Sequence, residues 1–229
     1  MYSSSFKKLI NENSDDTYIG RGNTNANILF VGKEYSKANE NSEFDRKYWK
    51  EKIAKNESVY LTHKKEVEEG HTWSKYQNLH DCIFEKPKTN IFDFEELIFT
   101  TEMSEIPQKN TRNAKRNPEF EPKLAIRKQE FFKSDFIQNF PVIVLACSDY
   151  IKNNNEIREI DEIFGVHYKD EYEKKIYTKS NWFFSHYNDD KTKLVIHTRQ
   201  LSTNVMSELL EDMGKVIRDH LISLNLYSH

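Results

Sequence analysis

Four short runs of the chain are apolar and show no polar alternation: Ile28 to Val31, Leu97 to Thr101, Val142 to Cys147 and Leu194 to Thr198. Runs of this length, rich in Val, Ile, Leu and Phe, predict central strands covered on both faces. Between them the apolar spacing turns helical. Trp73, Tyr76, Leu79 and Ile83 mark one helix. Leu124, Phe131, Phe132, Phe136 and Phe140 mark a second, stopped by Pro141. Ile157, Ile160, Ile163 and Phe164 mark a third, with Gly165 as its C-cap. The last runs from Met206 to Leu224 with apolar residues three and four apart. Strands separated by helices predict an α/β fold with a mostly parallel sheet and helices on both faces.

Two segments fall outside this pattern. Residues 36 to 70 are charged and only weakly helical in spacing. Residues 104 to 123 hold Pro107, Pro118 and Pro122 and read as a loop carrying Lys109, Arg112, Lys115, Arg116 and Lys123. That loop is either a solvated crossover or a phosphate-facing element.

Composition sharpens the picture. The 229 residues are 37% hydrophobic and 31% charged, with aromatics at 13% supplying buried area that the aliphatics lack. A core for one domain over residues 1–229 is available. A net charge of −3 excludes a uniformly basic nucleic-acid coat but not a local basic patch. No apolar run approaches the roughly 18–20 residues that cross a bilayer, so no membrane association is expected. The first residues, M-Y-S-S-S-F-K-K-L-I, lack the features of a signal peptide. Cys82 and Cys147 make neither a disulfide framework nor a four-cysteine site. The histidines form no His-x-x-x-His pair, so neither a metal nor an iron–sulfur cluster is expected, nor any other cofactor. The expectation is a reduced, cytoplasmic protein.

Candidate chemistry gathers at strand ends, where open α/β sheets bind ligands. Gly32 ends the first strand and is followed by Lys33, Glu34, Tyr35 and Ser36. This is a simple turn or a pocket wall. The last strand leaves through His197, Thr198, Arg199, Gln200, Leu201 and Ser202. Imidazole, guanidinium, amide and hydroxyl there can bind an anion or read a base edge. His197 alone is as readily structural as catalytic, and Ser202 or Thr203 can cap the final helix. The Gly20-Arg21-Gly22 triplet precedes its strand, unlike a dinucleotide fingerprint, and neither a Walker A motif nor a serine-hydrolase elbow is present.

The segment G-R-G-N-T-N-A-N-I-L-F-V-G, residues 20 to 32, resembles the first-strand motif of the uracil-DNA glycosylase superfamily. Its thermostable bacterial type reads roughly G-x-G-N-P-x-A-x-[LI]-[ML]-F-V-G-E-A-P-G. Later landmarks follow in family order: G-H-T-W-S-K-Y-Q-N-L at 70–79, L-I-F-T-T at 97–101, F-P-V-I-V-L-A-C-S-D-Y at 140–150 and T-R-Q-L-S at 198–202. The resemblance implies a three-layer α/β/α sandwich with a short, mostly parallel, four-stranded central sheet. It also implies a flipped nucleotide at the carboxyl ends of the strands, with donors on the leaving base and a carboxylate placing water.

The key positions depart from the family pattern. Lys33 stands at the family's carboxylate position, with Glu34 one residue along. Thr101 replaces the base-reading Asn, and Gln200 and Leu201 replace the His-Pro of the last motif. The base-stacking aromatic falls near Glu68. Carried onto this chain, the reading gives Glu34, His197 and Gln200 catalytic roles. Gly32, Lys33, Tyr35, Ser36, Thr101, Arg199 and Ser202 line the pocket, and Lys109, Arg112, Lys115 and Arg116 meet nucleic acid. The implied function is binding of DNA or a nucleobase-like ligand, with hydrolysis of an N-glycosidic bond. The alternative is a non-catalytic nucleic-acid or nucleotide-binding module that kept the fold. A third reading is an unrelated α/β hydrolase or transferase. A basic loop beside the pocket mouth favours DNA; one on the opposite face favours a small molecule or a protein.

Overall fold

The structure, a computed structural model, describes residues 2–34, 45–57, 72–87, 91–107, 111–154 and 156–227. Its strands are β1 (Arg21–Gly22), β2 (Ile28–Glu34), β3 (Ile98–Ser104), β4 (Val142–Leu145), β5 (Lys174–Thr178), β6 (Asn181–Tyr187) and β7 (Leu194–Thr198). The four apolar runs of the sequence are β2, β3, β4 and β7. They lie side by side in the order β3-β2-β4-β7 and are all parallel.

The sheet is larger than the expected four strands. Among the described residues it has seven, in the order β1-β3-β2-β4-β7-β6-β5, with β1, β6 and β5 running antiparallel to their neighbours. The extra strands carry no apolar run. β5 is exposed along most of its length, and β6 interleaves aromatics with Asn181, Ser185 and His186. The two-residue β1 exists because Gly20 and Gly22 let the chain press onto the β3 edge. A Cβ on Gly22, whose φ is +102°, would lie 2.3 Å from the Ile98 carbonyl oxygen.

Helices cover both faces. Ile28, Phe30, Val142, Val144 and Ile196 point to one side, against α3 (Thr72–Phe84) and α8 (Ser207–Ser223). Leu29, Val31, Phe99, Ile143 and Val195 point to the other. There they meet α1 (Ser4–Glu12), α2 (Arg46–Lys55), α5 (Phe120–Gln129), α6 (Asp135–Gln138) and α7 (Glu159–Phe164). This two-sided burial is why β2 and β4 read as unbroken apolar runs. α8 and α3 pack closely: a Cβ on Gly214 would lie 2.6 Å from the Cβ of Cys82. Among the described residues no helix is long and apolar enough to cross a membrane.

Two local expectations are corrected. The segment 104 to 123 is not wholly loop, since α4 (Thr111–Arg116) and the start of α5 lie within it. The helix expected from Leu124 to Phe140 is broken into α5 and α6. Phe131 and Phe132 lie in the turn between them, buried, with the Arg127 guanidinium 3.9 Å from the Phe131 ring centroid. Ser134 closes that turn by donating its hydroxyl to the Phe131 carbonyl at 2.7 Å. Within the weakly patterned 36 to 70 stretch, α2 starts at Asp45, whose carboxylate accepts from the Tyr48 amide at 2.8 Å. Trp49 anchors it through an indole bond to the Gly20 carbonyl.

Candidate functional site

β2 and β3 are adjacent and in register, with Gly32 opposite Glu102 and Glu34 opposite Ser104. Gly32 leaves the space that the Glu102 side chain fills: a Cβ there would lie 2.1 Å from a Glu102 carboxyl oxygen. Glu102 keeps some surface open to solvent, yet its carboxyl is crowded by protein atoms. Burial and the neighbouring charge of Glu34 push it up to about 8, and Arg127 opposes them. Burial also raises Glu34, against Tyr150, Thr111 and Lys33. The charge of Glu34 thus favours the protonated form of Glu102.

Glu34 is fixed from the other side. Its Oε1 accepts from the Thr111 hydroxyl at 3.1 Å, on the first residue of α4. The Tyr150 hydroxyl faces Glu34 closely enough to lower the cost of its charge, without aligning into a well-formed hydrogen bond. Glu34 Oε2 is buried and unpaired, as is the Tyr76 hydroxyl of α3, which feels the charge of Glu102. Buried polar atoms are seldom left this way.

Beside the pair lies a cationic shelf. Lys33 is buried, with its Nζ 3.1 Å from Asp149 and 4.9 Å from the centre of the Tyr150 ring. Lys115 of α4 also pairs with Asp149, and its Nζ is 5.7 Å from the same ring centre. Burial alone would raise Asp149, but Lys115 and Lys33 overcome it and hold its carboxyl down to about 2. Ser148, with φ 50°, turns the chain sharply after β4 and presents Asp149 and Tyr150 to this shelf.

The predicted residues divide. Gly32, Lys33 and Glu34 are brought together, and α4 places Lys115 beside them with Arg112 and Arg116 exposed on the same short helix. The basic segment therefore lies at the strand ends and not on a remote face. Tyr35, Ser36, Lys109 and the position near Glu68 lie outside the described residues.

Thr101 is not a pocket group. It belongs to the opposite phase of the β3 pleat from Glu102, donates to the Ile19 carbonyl at 2.8 Å and accepts from Arg127 at 3.1 Å. Arg199 is likewise spent on structure. Its guanidinium donates to the carbonyls of Gln200, Thr203 and Asn204 and ties the loop after β7. β7 ends at Thr198, so the alternation expected to continue through Ser202 is not realised. Ser202 does not cap α8; Met206 occupies that position, and its amide donates to Asn181.

His197 donates Nε2–H to the Ser148 carbonyl at 2.9 Å and packs edge-on to Trp182. Burial lowers its pKa, so it stays neutral. Gln200 and Ser202 are half-buried at the end of β7. β4 lies between β7 and β2, which separates those ends by about 10 Å at ordinary strand spacing.

The residues that sequence reasoning missed are Glu102, Asp149, Tyr150 and Tyr76. Glu102 was legible in principle, because a charged residue between Thr101 and Met103 continues the β3 alternation. Ending the strand at Thr101 hid it.

Among the described residues, His80, Asp81 and Asp93 have ligand-like spacing. The Gln77 amide occupies their centre, donating Nε2–H to Asp81 at 2.8 Å and to Asp93 at 2.7 Å. Its Oε1 is held by the amides of Asp93 and Phe94, so the amide cannot turn its oxygen towards a cation. This network pins α3 to residues 93 and 94. A cavity of about 740 Å³ lies elsewhere, between β5–β6 and α8, walled by Tyr172, Phe183, Tyr187 and His220. Among the described residues, none of those predicted for the site lines it. Compared with known protein families, with curated proteins and with solved structures, the chain matches none.

Proposed function

We propose that the protein is a uracil-DNA glycosylase-like enzyme that holds a nucleotide unit at the carboxyl ends of β2, β3 and β4 and hydrolyses its N-glycosidic bond. The observation that carries this reading is Glu34. A half-buried carboxylate with one unpaired oxygen ends the central strand and is fastened to a basic helix. Glu34 orients the water that attacks the sugar carbon. Lys33, Lys115, Arg112 and Arg116 face the phosphates. Gln200 and Ser202 approach the far end of the nucleotide from β7. Four adjacent parallel strands with helices on both faces fit the sandwich that the resemblance implies.

The test is single-turnover release of a base from a single-stranded oligonucleotide, with protein in excess and abasic sites scored. Release by wild type and its loss in Glu34→Gln are expected. Release that survives Glu34→Gln overturns the assignment.

A second reading, a binding module without turnover, is favoured by one observation. Thr101 and Arg199, expected to touch the ligand, are consumed by internal hydrogen bonds. Turnover on any base contradicts it. Affinity for oligonucleotide without turnover supports it.

A further inference from the structure

Glu102 stands beside Glu34 with no role yet assigned to it. It is the acidic residue directly opposite Gly32, packed into the space left by the missing Cβ. A Glu packed this closely on an inner strand is costly to charge. Arg127 opposes that cost only in part. Its Nε and Nη2 are committed to the Glu102, Tyr18 and Thr101 oxygens of the backbone and hydroxyl, and its Nη1 lies 3.8 Å from Glu105.

We propose that Glu102 is the proton donor to the leaving base, paired with Glu34 as the base that deprotonates water, and that the preferred substrate is therefore a purine N-glycoside. This rests on the proposed glycosidase reading and deepens it. Uracil departs as a stabilised anion and needs only hydrogen-bond donors. A purine leaves far more readily once a ring nitrogen takes a proton. A neutral carboxylic acid beside a carboxylate is the arrangement that supplies that proton and activates water together.

The step balances. Water adds its oxygen to the sugar carbon and gives its proton to Glu34. The carbon–nitrogen bond breaks, and its electron pair stays with the base. Glu102 gives its proton to the base nitrogen. The products are a sugar hydroxyl and a neutral purine. Glu34 now holds the proton and Glu102 the charge, and transfer between the two carboxyls restores the starting state.

The groups facing Glu102 support this division of labour. They are Glu34 from β2, Arg127 from α5, Tyr76 from α3, Tyr18 ahead of β1, and Cys147 after β4. Burial raises the hydroxyls of Tyr18 and Tyr76 and the thiol of Cys147, so all three stay neutral. Burial, and after it the charge of Glu34, keep Glu102 protonated, and Arg127 opposes them.

The experiment uses the full chain and two matched pyrimidine oligonucleotides, one carrying a single deoxyadenosine and one a single deoxyuridine. Base release is followed across pH 5 to 9 for wild type, Glu102→Gln and Glu34→Gln, with circular dichroism confirming each fold. Adenine release about tenfold or more above uracil release is expected. Glu102→Gln should cut adenine release by about 100-fold or more, by a larger factor than any uracil release, and abolish the loss of rate above about pH 8.

Equal loss on both bases, or a high-pH limb unchanged in Glu102→Gln, overturns the proton-donor role while leaving the glycosidase reading intact. Uracil preferred over adenine by wild type overturns the purine assignment even if no variant folds. Release of neither base by folded wild type overturns both readings.

Discussion

At the scale of single residues, the buried polar groups sort into those that tie the fold together and those gathered around the ends of β2 and β3. Arg127 belongs to the first kind. It donates to oxygens of Tyr18, Thr101 and Glu102 and so ties the chain ahead of β1 to β3. Arg127→Met keeps the apolar stem over Phe131 but strips those acceptors. A loss of about 3 kcal/mol in urea unfolding is expected. Gly22→Ala places a methyl against the Ile98 carbonyl with φ on the unfavourable side, and about 2 kcal/mol should be lost in the same assay. Glu34, Glu102 and Tyr76 behave differently, because they carry perturbed pKa values or unpaired atoms at strand ends. Sequence reasoning singled out Glu34 because it follows a recognisable strand. It misplaced Thr101 and Arg199, because a polar side chain in a motif-like position looks the same whether it serves a ligand or a neighbouring carbonyl.

At the scale of elements, the strands buried on both faces were legible and the exposed ones were not. β2, β4 and β7 announce themselves because neither side of the sheet admits a polar residue there. β5 and β6 close the edge with one side towards solvent, so their pattern dissolves into aromatics and lysines. The α5–α6 break was hidden because Phe131 and Phe132 are as buried in a turn as they would be in a helix. α8 was the clearest of all, and its contact with α3 is tight enough to test. Gly214→Val forces a branched side chain against Cys82 and should cost about 1–3 kcal/mol, read as a lowered melting temperature. The basic α4 makes a different prediction. Arg112 and Arg116 are exposed and appear in no ion pair among the described contacts, so replacing both with Ala should leave stability unchanged. Single-strand affinity should fall, and its log–log salt slope should flatten by roughly 1.4 in fluorescence anisotropy titrations.

At the scale of the whole molecule, the carboxyl pair ties folding to pH. Glu102 titrates at about 8 in the folded chain against an ordinary 4.5, so the folded state holds a proton that the unfolded state releases between those values. Its stabilising contribution is therefore full below about pH 4.5, declines as pH rises, and is gone above about 8. Wild type should lose stability relative to Glu102→Gln across that window, measured as urea midpoints at pH 5, 6.5 and 8. Asp149 runs the other way. Held at about 2 against an ordinary 3.8, it stabilises above that ordinary value and loses its contribution only as acid reaches its folded pKa. The seven-stranded sheet has a further consequence at its outer border. Among the described residues β5 pairs with β6 alone, and Ile176 at its middle is 67% exposed between Lys175 and Tyr177. Such an edge is a template for self-association, and Lys174, Lys175 and Lys179 line it, Lys174 paired with Asp170 and Lys175 with Asp212. Two copies meeting there would have to bring those ammonium groups together and desolvate the pairs, so the lysines guard the edge against strand addition. Lys174→Thr combined with Lys175→Thr should remove that guard and give light scattering that grows with protein concentration.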